Sequence, residues 1–146
     1  MTLDRTIPPI SQEIHAIPFP TPIKHYLGNN IPVYLLQGGT QEVVMLRLMF
    51  NAGLWYQPAV AVAYITGKML QEGSAQYTSE QIATHFDFYG VELDVEIGND
   101  NAYVTVSCLK KHFHAVLPIL EDMIKHPVFP QAELDVLLNH VKQRHL

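Results

Sequence analysis

Apolar and polar residues alternate in three stretches of this chain, and each stretch predicts a strand. From Glu42 to Phe50, Val44, Leu46, Leu48 and Phe50 fall on one face. Val91, Leu93, Val95 and Ile97 alternate with Glu92, Asp94 and Glu96, a strand with one wet face. After the turn sequence Gly98-Asn99-Asp100-Asn101, Ala102, Val104, Val106 and Cys108 form its hairpin partner. Upstream, Lys24–Leu27 and Ile31–Gln37 flank Gly28-Asn29-Asn30, predicting another hairpin, and Gly38-Gly39 ends it.

Elsewhere the period is helical. Pro58 is placed to begin a helix through about Gln71, with Gly73 closing it. Thr78 and Gln81 have the spacing of a capping box, and Ile82, Ala83, Phe86 and Tyr89 form the stripe behind it, up to Gly90. From about Lys110, the apolar stripe is Phe113, Val116, Leu117, Leu120, Met123 and Ile124. Pro127 and Pro130 separate that helix from a last one striped by Leu134, Leu137, Leu138 and Val141. The order β-β-β-α-α-β-β-α-α predicts an α+β fold, a mainly antiparallel sheet with helices packed on one face. Residues 1–22 hold Pro8, Pro9, Pro18, Pro20 and Pro22 and are expected to form an extended arm, leaving 23–146 as the folded domain. No Gly, Asn or Pro follows Val141, so the expectation is a fragment of a longer, multi-domain chain.

Composition narrows the function classes. With 146 residues, 48% hydrophobic and 16% charged, the chain is long enough to bury about 70% of its unfolded surface. A net charge of −5 and the lack of any basic run argue against nucleic acid as partner. The single cysteine, Cys108, excludes an intrachain disulfide and a cysteine-based metal cluster. No apolar run has membrane-spanning length, and the start of the chain has no apolar signal core. The expected location is cytoplasmic, or periplasmic if a signal peptide has been removed.

Eight histidines invite a metal site, but none pairs with another at the i, i+4 spacing that brings two imidazoles to one ion. His112 and His114 point apart near a helix start, and His140 and His145 lie on different faces. Cys108 is in phase with the apolar face of its strand and reads as a core residue. Tyr64 and Lys68 are spaced i, i+4, as a helix face with a snorkelling lysine or as a pocket with Lys68 as base or anion binder. The strand Val91, Glu92, Leu93, Asp94, Val95, Glu96 reads either as a peptide-binding edge or as an edge kept from aggregating by charge. Trp55 and Tyr56 follow Ala52-Gly53 as interface anchors or as a cap on the sheet.

The stretch from Asn51 to Ser74 resembles the part of the insulinase/pitrilysin (M16) metallopeptidases that carries the inverted zinc motif H-x-x-E-H. Ala52-Gly53, Met69, Leu70, Gly73 and Ser74 stand in the family's frame, while the five motif positions are Tyr64, Ile65, Thr66, Gly67 and Lys68. Phe129 to Arg144 resembles the later helix of the family, with Glu133, Leu134 and Asp135 in step and Arg144 where the third ligand would be. The upstream carboxylate of that helix falls at Leu137. Zinc takes His, Cys or carboxylate ligands. The resemblance therefore implies a vestigial site at Tyr64, Gly67, Lys68 and Arg144, without catalytic or metal-binding residues of its own. Two cations, Lys68 and Arg144, would face each other in place of the ion. It further implies an M16 fold over about Leu27 to Arg144 and a non-catalytic subunit. Such a subunit would line a peptide chamber with an active H-x-x-E-H partner as a heterodimer, and zinc would be a cofactor in that partner alone. The alternative it implies is a non-enzymatic peptide-binding or scaffold protein of the same fold, like the respiratory-complex core subunits. An unrelated activity built on Lys68 and Tyr64 ranks last.

Overall fold

The computed structural model describes residues 19–144, the last of them by its backbone only. The expected arm at 1–22 lies outside the described residues except for 19–22, which have no regular structure. The chain divides into two compact units between Gln41 and Glu42.

The first unit is a hairpin. β1 (Ile23–Tyr26) pairs antiparallel with β2 (Pro32–Leu35), Lys24 opposite Tyr34. Asn30 takes the left-handed conformation that the tight connection requires (φ 62°), and its amide donates to the Leu27 carbonyl. Lys24 Nζ lies over both Tyr26 and Tyr34, 4.9 and 5.2 Å from the ring centroids.

The second unit carries the layered core. Its sheet runs β3 (Val43–Phe50), β5 (Ala102–Leu109), β4 (Glu92–Ile97), antiparallel throughout. Leu46 and Leu93 both oppose Val106, and Leu48 and Val95 both oppose Val104, so the apolar sets of all three strands share one face. The predicted hairpin of Val91–Ile97 with Ala102–Cys108 is present. The helices are α1 (Val62–Met69), α2 (Ser79–Tyr89), α3 (Phe113–Lys125) and α4 (Gln131–Arg144). Ile82 and Phe86 of α2 and Val116, Ile119, Leu120 and Met123 of α3 close over Val104, Val106 and Cys108. Burial of the Cys108 thiol raises its pKa, in keeping with a core role.

The local signals show which helix starts were legible. Thr78 accepts from the Gln81 amide while the Gln81 side chain accepts from the Thr78 amide, and Gly90 closes α2 in the left-handed region. By contrast, α1 does not begin at Pro58. The backbone stays irregular to Ala61, which has φ 71°, and the Gln57 side chain accepts from the Ala63 amide at 3.3 Å, satisfying a donor of the late helix start. Helix α3 likewise starts at Phe113, after a 3₁₀ turn over Lys110–His112 whose first amide donates to the Glu42 carbonyl. It continues through Pro118, which has no N–H to donate to the His114 carbonyl and lies on the exposed side of the helix. The α4 stripe falls where expected, but Leu134, Leu137, Leu138 and Val141 are half-buried. Ala83, expected in the α2 stripe, is exposed.

Candidate functional site

Helix α1 packs on β4 and on α4, so the two elements that would carry the inverted motif and the third ligand are neighbours. Contact with β4 is close because residue 67 is glycine: a Cβ there would stand 2.9 Å from Ile97 Cδ1 and 3.2 Å from Val95 Cγ1. Gly67 and Met69 are buried, while Tyr64 and Lys68 are on the outer side of the helix. Lys68 Nζ is 5.9 Å from the Tyr64 ring centroid, the outer limit of a cation–π contact. An exposed lysine on an aromatic side chain fits the snorkelling reading. Arg144 ends α4, and its side chain lies outside the described residues, as does the expected facing of the two cations.

These residues do not fit zinc. The motif positions offer a phenol, a threonine hydroxyl and an ammonium, and none is an imidazole, thiolate or carboxylate. Among the described residues no three His, Cys, Asp or Glu side chains converge on a point that would hold an ion.

The segment leading into α1 is held by backbone. After β3, Gly53, Leu54 and Trp55 donate their amides to Asp100, Gly98 and Asn99 in the β4–β5 turn, at 3.1, 2.9 and 3.0 Å. The side chains turn away: Trp55 is 75% exposed and Tyr56 63%, so neither caps the sheet.

Beyond α1, the chain is anchored by a residue that the sequence reading missed. Asp122 of α3 is 4% exposed. It accepts from the Gln76 amide at 2.9 Å and from Gln76 Nε2 at 3.3 Å, and His126 Nδ1 lies 3.0 Å away. The Ser74 hydroxyl does most to lower its pKa, against the effect of burial and helped by the Gln76 amide and the His126 ring. Ser74 also bridges to Pro127, and the Ala75 amide donates to the His126 carbonyl, so the 73–78 loop is tied to the end of α3. A carboxylate with a lowered folded pKa contributes stability above its unfolded pKa, near 3.9, and loses it as pH falls through the folded value. Thermal unfolding should therefore show Asp122→Asn less stable than the parent at pH 7. The gap should narrow once pH drops below about 3.9. An unchanged gap at pH 3 would remove the charge from this account.

β4 is the edge of its sheet, and among the described residues nothing pairs with its outer side. Glu92, Asp94 and Glu96 are exposed, and Leu93 and Val95 half-buried toward the helices. On the sheet face left open by the helices of this unit, Glu92 is in a row with Ser107 and Met45, Asp94 with Thr105 and Arg47, and Glu96 with Tyr103 and Met49. Arg47 Nε donates to Thr105 Oγ1 at 3.0 Å, and its guanidinium lies 5.4 Å from the centre of the Tyr103 ring.

A three-stranded antiparallel sheet with four helices, one of them docked by a glycine on the edge strand, defines the class of domain, and comparison supplies the family. The family model for insulinase (peptidase family M16) matches residues 33–145. This chain belongs to that family. Among solved structures it is similar to the peptidase M16 inactive domain from Pseudomonas fluorescens, with a TM-score of 0.76 and 24% identity over 82% of this chain. The match covers 30% of that chain's length, so the present sequence spans less than a third of it. No curated protein matches the sequence significantly. No described helix is long and apolar enough to cross a membrane.

Proposed function

We propose that this chain is a non-catalytic M16 domain that forms part of a peptide-binding chamber and works with a separate H-x-x-E-H subunit. The observation that carries this reading is Gly67. At the position that the resemblance assigns to the family's catalytic glutamate, the helix is kept, and it docks on the edge strand so closely that even a Cβ would stand 2.9 Å from Ile97 Cδ1. The shape of the zinc helix persists with other chemistry inside it. The same fold in a protein described as an inactive M16 domain is consistent with this reading. Under it, β4 contacts peptide by its free backbone edge, while the partner supplies zinc and the glutamate that activates its water.

The test is to co-purify the intact protein with a candidate H-x-x-E-H subunit and to assay peptide cleavage by each alone and by both together. The expected result is association, no cleavage by this chain alone, and greater cleavage by the pair than by the partner alone. A partner that is fully active alone and does not associate would leave the scaffold alternative in its place.

A further inference from the structure

Two starts of α1 compete within five residues. In the observed one, the helix begins at Val62 behind Ala61, a residue with a Cβ in the left-handed region (φ 71°, ψ −6°). Two long hydrogen bonds hold it. The Val62 amide donates to the Ala59 carbonyl and the Ala63 amide to Gln57 Oε1, each at 3.3 Å, beyond the usual range of about 2.7–3.2 Å. The other start lies at Pro58. Gln57 already has the extended backbone of an N-cap (φ −72°, ψ 139°), the proline ring presets a helical φ, and Ala59-Val60-Ala61 contains no helix breaker. Among the described residues no hydrogen bond ties Pro58–Ala61 to any element other than α1 itself. Pro58, Ala59 and Val60 are exposed, Val60 at 92%, so rewinding this segment breaks no packing.

We propose that Pro58–Ala61 is a winding segment, in exchange between the observed irregular turn and a first helical turn of α1. The exchange takes Ala61 from the left-handed to the right-handed region. The Val62 amide then moves to the Pro58 carbonyl, the Ala63 amide moves to the Ala59 carbonyl, and Gln57 Oε1 is released. Winding carries Val60 to the place one turn before Tyr64. Val60, Tyr64 and Lys68 then stand at i, i+4 and i+8 on the outer side of the helix. The surface along α1 thus has two forms, one with this valine in the row and one with it away in the loop. The device is independent of the chamber role proposed above.

The test is amide hydrogen exchange and NOE spectroscopy on the intact chain with the variant Gln57→Asp. Its side chain is one methylene shorter, so the 3.3 Å contact with the Ala63 amide is lost. If the short start were the only form, Ala63 would lose its acceptor and become less protected. If the segment winds, the new carboxylate caps the first amides of the longer helix and Ala63 takes the Ala59 carbonyl. Protection of Val62 and Ala63 is then expected to rise by about fivefold. NOEs from Pro58 Hα to the Ala61 amide and from Ala59 Hα to the Val62 amide should be strong in this variant and weaker in the parent. Adding Ala61→Gly, which relieves the left-handed region and weakens the helix, should cancel the gain. Unchanged or lowered Ala63 protection in Gln57→Asp, or the lack of these NOEs in that variant, overturns the proposal.

Discussion

Replacing Gly67 by glutamate, the residue that the proposed correspondence with active family members would place here, is expected to destabilise the chain by about 2–4 kcal/mol. The backbone position is buried, and the first added carbon already falls 2.9 Å from Ile97 Cδ1 and 3.2 Å from Val95 Cγ1. A carboxylate beyond that carbon would have to push α1 off β4 or lie uncompensated among isoleucine and valine. Alanine separates the two effects. It gains about 1 kcal/mol of helix propensity over glycine but pushes on two flexible side-chain ends, so its net change should stay within about 1–2 kcal/mol. Denaturant unfolding of the two variants checks the order. A Gly67→Glu protein as stable as the parent would mean that α1 can lift freely from the sheet, and the account of a helix fixed in non-catalytic form would fail.

Gly53→Ala should be at least as damaging, for a different reason. Its Cβ would lie 2.3 Å from the Asn99 carbonyl oxygen and 2.5 Å from the carbonyl carbons of Asn99 and Asp100. These are backbone atoms of a turn that accepts three consecutive amides from the 53–55 segment, and no side chain can swing away to make room. Relief requires separating the two loops and losing those hydrogen bonds, each worth about 1 kcal/mol. The expected loss is about 3 kcal/mol or more, with lowered protection of the Leu54 and Trp55 amides in hydrogen exchange. Parent-like exchange at those two amides would refute the proposed contact.

The contrast between these glycines and the rest of the domain shows what a sequence makes legible. The hairpin at Asn99, the capping box at Thr78 and the alternation of β4 are local signals, and each element formed where its own residues placed it. The start of α1 was misplaced because Pro58 is a valid first residue of a helix, while the Gln57 side chain that reaches Ala63 acts through space. Asp122 was missed because it looks like any polar residue of an amphipathic helix. Its partner Gln76 lies 46 residues earlier, in a loop without periodicity. In α1, the close docking on β4 that Gly67 permits was not legible. Glycine in a helix has no sequence mark that tells packing from indifference.

The exposure of Trp55 has a spectroscopic consequence. It is the only tryptophan in the chain, and it stands on the surface in the segment fastened to the β4–β5 turn. Its emission in the folded protein should already be near that of an indole in water, so unfolding of the core will be nearly silent in tryptophan fluorescence and must be followed by circular dichroism. The same indole is a built-in reporter of docking on that loop. A partner that covers it will shift its emission to the blue and shield it from iodide, and one that binds elsewhere will leave it unchanged.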